Sequence, residues 1–141
     1  MRTFEWNETY AVDIPDIDDE HQKLFRLCDV LERAMMAGAA LSEVQSIVDD
    51  VVIRAAEHFC HEERAMRASG YPHYAWHQRQ HHTAGSRIRV LERRVWRGNR
   101  DAALELLDFL SGWLNDHIRL ADRMLGAYLR NRERELLTRA S

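Results

Sequence analysis

The sequence is poor in the residues that interrupt helices or cross-link chains. Its 141 residues include six glycines, two prolines and two cysteines. Because glycine and proline are the strongest helix breakers, their scarcity favours an all-α protein. Cys28 and Cys60 form neither a Cys-x-x-Cys pair nor a disulfide framework. Such cysteine usage is typical of a reducing compartment, and we expect a cytoplasmic protein.

Long apolar runs and an excess of one charge are also missing. No stretch approaches the roughly 20 apolar residues of a membrane span, and the first residues lack the apolar core of a signal peptide. The formal net charge is −3, so nucleic acid is not an expected partner. The length suits one domain with a buried core, and we predict a single domain over residues 1–141.

Hydrophobic periodicity divides the chain into an arm, four helices and a tail. Apolar residues alternate over residues 4–14, which predicts an extended N-terminal arm over 1–17. Beyond the arm they recur every three or four positions, which predicts helices over 18–38, 42–69, 73–97 and 100–129. The first helix is expected to begin near Asp18, and Ser42 occupies a capping position for the second. Residues 130–141 are highly charged and are expected to form a tail that is a frayed, solvated helical end.

Four helices joined by short turns favour an antiparallel up-down-up-down four-helix bundle. Seven side chains that can bind metal lie on the apolar faces of these helices: His21, His58, Glu62, His77, His81, His117 and Asp122. The pairs His58/Glu62 and His77/His81 are each four residues apart, so each pair stacks on one helix face. Because consecutive helices alternate in direction, all seven are expected at one end of the bundle. On an ideal helix Asp122 lies about 140° from His117. The two side chains can share a site only if that site lies between them or if the helix is locally distorted.

Metal binding explains this convergence better than a core of ordinary histidines. A lone inward histidine is more often a hydrogen-bonded core residue than a ligand. Several ionisable groups buried together without a partner would each cost roughly several kcal/mol. Seven nitrogen and oxygen ligands exceed the four of a structural zinc site and suit two first-row ions. Iron, manganese and zinc all accept this donor set.

The same residues resemble the motifs of the hemerythrin family, specifically the single-domain bacterial hemerythrins, over about residues 6–128. Four motifs carry the resemblance: Trp6-x3-Tyr10-x-Val12 with Ile17-Asp18-x-Glu20-His21; His58-Phe59-x2-Glu62-Glu63; Tyr71-Pro72 before His77-x3-His81; and Trp113-Leu114-x2-His117-Ile118-x3-Asp122. The resemblance implies a four-helix bundle with a non-haem di-iron centre. It further implies reversible O2 binding, for oxygen transport or storage, without enzymatic activity.

The resemblance also implies how the ligands divide between two iron ions (Fe2+/Fe3+). One iron would be held by three histidines, namely His77, His81 and His117. The other would be held by His21 and His58 and would keep one position open. Glu62 and Asp122 would bridge the two ions, together with an oxo or hydroxo group. O2 would bind end-on as hydroperoxide at the five-coordinate iron, where small anions such as azide would also bind.

The resemblance also implies that five residues line an apolar O2 pocket around the open iron: Leu24, Phe59, Trp113, Ile118 and Leu120. The remaining histidines, His61, His73 and His82, are expected at the surface or behind the ligands. Glu20 and Glu63 are interpreted as solvated or capping residues.

Two other functions stay open beside the O2 carrier. One is an O2 or redox sensor that acts through a signalling partner, and the other is a di-iron enzyme that acts on peroxide or nitric oxide. A carrier would deliver O2 to an accepting enzyme, whose identity the sequence does not reveal. Ferritin-like oxidases use more carboxylates, in Glu-x-x-His motifs, than the two found here. Five histidines with two carboxylates favour binding over oxidation.

Overall fold

The computed structural model describes residues 4–140, and these residues fold into a helical bundle. The helices are α1 (Pro15–Met36), α2 (Leu41–Ser69), α3 (Tyr74–Trp96), α4 (Ala102–His117) and α5 (Arg123–Ala140). A π-helical turn at Ile118–Asp122 joins α4 to α5, so these three elements form one continuous helical segment. Helix α1 packs on α2 and α4, and α3 packs on α2 and α4. This neighbour order confirms the predicted all-α, antiparallel up-down-up-down four-helix bundle.

All four helix starts differ from the sequence prediction by one to three residues: α1 and α2 begin earlier, and α3 and α4 begin later, at Tyr74 and Ala102. Helix α1 begins at Pro15, three residues before Asp18, because the fixed φ of proline suits the first helical position and its missing N–H is not needed there. Helix α2 begins at Leu41 after Ala40, without a side-chain cap, so Ser42 is not the capping residue. Gly70 ends α2 at φ 68°, in the left-handed conformation that glycine adopts without strain.

The charged tail is a direct helical continuation of the bundle. Helix α5 runs to Ala140, whereas the predicted helix ended at residue 129. The side chains beyond residue 130 are exposed, in agreement with their charge. Residues 1–3 of the predicted arm and Ser141 of the tail lie outside the described residues, and the single-domain assignment stays a prediction. None of the helices within residues 4–140 is long and apolar enough to cross a membrane.

The N-terminal arm lies against the end of the bundle that holds the candidate ligands. Phe4 and Val12 are buried, and the ring of Tyr10 packs edge-on against Phe25 with centroids 5.0 Å apart. A 3-10 turn at Glu8–Tyr10 interrupts the extended backbone that the alternating pattern predicted. The carboxylate of Asp18 accepts hydrogen bonds from the backbone amides of Val12 (2.8 Å) and Asp13 (3.1 Å). This carboxylate therefore fastens the arm to the first turn of α1.

Candidate metal centre

The seven predicted ligands meet in the interior, at one end of the bundle. Each of them is at most 4% exposed. Helix α1 supplies one, α2 two, α3 two and α4 one, and the π-helical turn supplies the seventh. Within residues 4–140, Glu32 is the other buried charged side chain, and it lies three turns along α1 from His21. Apart from Glu32, the buried charged side chains and histidines of the described residues are thus concentrated in one place.

The seven side chains form two groups that share both carboxylates. In the first group, ligand atoms of Glu62, His77, His81, His117 and Asp122 all lie within 4.8 Å of one another. In the second group, ligand atoms of His21, His58, Glu62 and Asp122 likewise all lie within 4.8 Å of one another. Two adjacent ion positions, spanned by two common carboxylates, follow from this arrangement.

The oxygen atoms of each carboxylate face different groups. Oε1 of Glu62 lies 3.0 Å from Nε2 of His81 and 3.3 Å from Nε2 of His77, while Oε2 lies 3.2 Å from Nε2 of His58. Oδ1 of Asp122 lies 3.0 Å from Nε2 of both His77 and His117. Its Oδ2 lies 2.9 Å from Nε2 of His21. Each carboxylate therefore presents one oxygen to each group, as a bridging ligand does.

These inward atoms fit metal ions better than a hydrogen-bond network. The Nε2 atoms of His21, His77, His81 and His117 and all four oxygens of Glu62 and Asp122 are buried but form no hydrogen bond within the described structure. A buried polar atom without a partner is costly, and coordination would satisfy every one of them. Imidazole nitrogens and carboxylate oxygens are the donors that first-row ions accept.

Three of the imidazoles are held from behind by polar side chains. Nδ1 of His58 is 2.8 Å from Oε1 of Glu20, and Nδ1 of His81 is 3.0 Å from Oε2 of Glu63. Nδ1 of His117 is likewise 2.8 Å from Oε1 of Gln80. A proton on each Nδ1 donates to these oxygens and leaves the Nε2 lone pair aimed inward, as metal ligands require.

The interpretation of Glu20 and Glu63 as solvated or capping residues was therefore wrong. Each directly adjoins a ligand in sequence, so it lies about 100° off the ligand stripe and faces the neighbouring helix. Glu20 also accepts a hydrogen bond from the half-exposed His61, at 2.9 Å. His73 and His82 are exposed. A sequence search that included the residues adjoining each ligand would have found these acids.

The π-helical turn explains how Asp122 reaches the site. A π-helical turn contains more residues than an α-helical turn, because its hydrogen bonds join residues five apart. The five residues from His117 to Asp122 therefore complete roughly one turn and bring both side chains to the same face. Of the two conditions that the sequence left open for Asp122, the structure shows the second, a locally distorted helix.

Apolar side chains pack around the ligands, with one departure from the prediction. Leu24 and Ile118 are buried, Phe59 stacks on His81 with centroids 4.3 Å apart, and Trp113 stacks on His117 at 4.2 Å. Leu120, in contrast, is 58% exposed. It lies two residues from the inward Asp122, so it faces the opposite side of the helix and cannot line an interior pocket. Leu114, one turn before His117, is buried instead and was not among the predicted pocket residues.

The electrostatics of the metal-free site favour protonated His58 and His77 beside ionised carboxylates, whereas burial lowers the pKa of His117. Burial opposes the charge on His58, but the Glu62 carboxylate and the hydrogen bond to Glu20 outweigh it and raise the pKa of His58 to about 10. Burial likewise opposes the charge on His77, but contacts with Asp122 and Glu62 raise its pKa to about 9. Burial raises the pKa of Glu62, yet the neighbouring histidines reverse this and hold it well below the ordinary value. Ions entering this site would displace protons from the two histidines.

We expect the metal-free protein to lose stability as pH rises from 7 to 10. Unfolded histidines titrate near pH 6.5, so the raised pKa values of His58 and His77 stabilise the fold fully below that pH. This stabilisation is lost as pH rises through about 9 and about 10, at a rate of at most about 1.4 kcal/mol per pH unit for each proton. Thermal unfolding of chelator-treated protein, followed by circular dichroism, measures the effect. A melting temperature that stays constant or rises over this range would contradict the assignment, and a His77→Gln variant should show a shallower decline.

Comparison with known proteins places the chain in a family. Residues 12–129 match the family model described as the hemerythrin HHE cation binding domain. The chain is 34% identical over 125 residues to a bacteriohemerythrin of Stenotrophomonas maltophilia, covering 87% of this chain and 79% of that protein. It is also 24% identical over 119 residues to a myohemerythrin of Theromyzon tessulatum, covering 84% and 88% of the two chains.

The fold agrees with these matches. The chain superimposes on a crystal structure of wild-type hemerythrin with a TM-score of 0.82 and 24% identity, covering 89% of this chain and 96% of that one. The family model matches most of the chain, including all seven candidate ligands. The chain belongs to the hemerythrin family.

Proposed function

We propose that this protein binds O2 reversibly at a non-haem di-iron centre and serves as an O2 carrier or store. The observation that carries the proposal is the pair of ligand groups that share Glu62 and Asp122, in a chain of the hemerythrin family. Two iron ions, when bound there, supply the electrons that a reversible O2 complex needs. The donor set alone admits manganese or zinc, so iron rests on family membership.

The two ion positions differ in the number of side chains available to them. Three histidines and both carboxylates surround the first position: His77, His81, His117, Glu62 and Asp122. Only two histidines and the same carboxylates surround the second: His21, His58, Glu62 and Asp122. We assign the second position as the one that accepts O2, or a small anion such as azide, because it has one protein ligand fewer.

The surroundings favour binding of O2 over its reduction. Reduction of O2 consumes protons, and within residues 4–140 the buried carboxyl and imidazole groups near the site are the ligands themselves. The nearby hydroxyl of Tyr71 is buried, and burial together with the Asp122 carboxylate raises its pKa, so this phenol gives up a proton poorly. Leu24 and Ile118 are almost fully buried and exclude water from the ligands. An apolar lining without a ready acid suits a carrier.

Metal analysis combined with an anaerobic O2 titration tests the proposal. We expect two irons per chain and one O2 per two irons, with a visible absorption spectrum that disappears when O2 is removed and returns on cycling. A His58→Ala variant should lose the O2-dependent spectrum, because the second position then keeps one histidine. The exposed His82 offers a matched control, since His82→Ala should bind O2 normally. Sustained turnover of peroxide or nitric oxide, or a normal O2 spectrum in His58→Ala, would refute the carrier assignment.

A further inference from the structure

A groove on the outer surface between α2 and α3 borders the candidate metal centre at one of the seven ligands, His81. Its volume is about 250 Å3. The lining is mainly apolar and comes from Val52, Ala55, Ala56, Phe59, Gly85 and Ile88. The proposed O2 function makes no use of this space. A half-open apolar cavity of this size is suited to a small organic molecule.

The groove exists because small residues occupy the contact between the two helices. Ala55 and Ala56 on α2 lie opposite Gly85 on α3, and none of them has a side chain long enough to fill the space. A Cβ atom added at Gly85 would meet one atom within 4 Å, namely Nη1 of Arg89 at 3.5 Å. There is therefore room for a larger side chain, or for a ligand, above this glycine.

Positive charge lies at the rim of the groove. Long side chains on a helix lean toward its N-terminus, and the guanidinium of Arg89 accordingly folds back over Gly85. Arg89 forms no salt bridge within the described residues, although it lies near Glu92, one turn further on. Glu63 also lines the groove, but it is held by Nδ1 of His81 at the opposite end. The exposed His82 adds a second basic group.

We propose that this groove binds a small organic carboxylate, with the apolar body on the floor and the carboxylate paired with Arg89. At roughly 30 Å3 for each heavy atom, the volume accommodates about eight heavy atoms, and the carboxylate group lies at the open rim. A carboxylate matches the planar fork of a guanidinium, which can donate two parallel hydrogen bonds to it. A cation of the same shape would lose this pairing and would be repelled.

The bound molecule would lie directly beside the candidate metal centre, because both Phe59 and the ligand His81 line the groove. Phe59 forms part of the floor of the groove, and its ring stacks on His81 at 4.3 Å. His81 lines the groove at the end where Glu63 lies, but the pairing of the carboxylate with Arg89 at the other end depends on none of the seven ligands. Its existence can therefore be tested without reference to O2 binding, and its failure would leave the proposed function untouched.

The two cysteines provide a direct probe of the groove. Cys60 is exposed and lines it, whereas Cys28 is fully buried, so a neutral alkylating reagent should label Cys60 in the native protein. In metal-loaded protein we expect octanoate to slow the labelling of Cys60 by iodoacetamide in a saturable manner. Octylamine, with a chain of the same length and the opposite charge, should give no protection. Equal protection by both, or no saturable protection by octanoate, would overturn the proposal.

Two substitutions test separately whether binding depends on the charge of Arg89 and on the space above Gly85. Arg89→Ala, at an exposed position, should weaken octanoate binding about tenfold in isothermal titration calorimetry, the effect of losing a charged hydrogen-bonded pair. Gly85→Leu should fill the groove and abolish both the calorimetric signal and the effect of octanoate on labelling. Gly112→Leu is the matched control, because Gly112 is exposed on α4 with no atom near its Cβ position, and it should bind normally. Full affinity in Arg89→Ala, or in a folded Gly85→Leu protein, would refute the site.

Discussion

Replacing Glu62 with alanine is expected to leave the chain unable to hold either metal ion. Oε1 of Glu62 faces His77 and His81, and Oε2 faces His58, so one side chain serves both groups. Its removal takes a ligand and a negative charge from each position. It also leaves buried imidazoles without their carboxylate partner, a change that costs roughly 3 to 5 kcal/mol when a buried charge pair is broken.

Metal content, measured by plasma mass spectrometry after dialysis, distinguishes a bridging carboxylate from an ordinary ligand. We expect Glu62→Ala to retain almost no metal. His58→Ala should retain about one ion, because the group of five around the first position stays complete. Glu43→Ala, which removes an exposed carboxylate from the same helix, should retain two. One tightly held ion in Glu62→Ala would show that Glu62 serves one position only.

The ligand end of the bundle is predictable because two regularities of helices act together. Spacings of three and four residues place His58 and Glu62 on the apolar face of one helix, and the alternating direction of consecutive helices brings such faces together at one end. Neither step depends on exact helix bounds. The prediction of the site therefore survives the early start of α1 at Pro15 and the missing cap at Ser42.

The polar side chains behind the ligands depend on detail that periodicity does not contain. Whether Glu20 points to solvent or to Nδ1 of His58 is decided by the rotation of α1 against α2, which is set by packing over the whole interface. The exposure of Leu120 has a similar origin. It follows from the local widening of the helix at Ile118–Asp122, and the spacing of the sequence allowed such a distortion without requiring it. The sequence pattern thus does not determine how each helix is rotated against its neighbours or where a helix is locally distorted.

A glycine in the last helix is the point at which the N-terminal arm depends most closely on the bundle. A Cβ atom at Gly126 would lie 2.5 Å from the backbone oxygen of Val12 and 3.0 Å from its Cβ atom. The same oxygen accepts a hydrogen bond from the guanidinium of Arg130, one helical turn beyond Gly126. Val12 is also held through its amide by Asp18. The backbone of the arm is therefore fixed on two sides and has no direction in which to move away from a new methyl group.

Gly126→Ala is expected to destabilise the fold by about 1 to 3 kcal/mol, the typical range when added atoms are forced into a well-packed region. The sign of the change in the free energy of unfolding is informative. Replacing a glycine within a helix by alanine ordinarily stabilises a protein by about 0.5 to 1 kcal/mol. Gly112→Ala provides that reference, since its Cβ would point into open space on the exposed side of α4. Urea unfolding of the two variants should therefore shift the free energy of unfolding in opposite directions. Equal stabilisation of both variants would mean that the arm does not pack on α5 in solution.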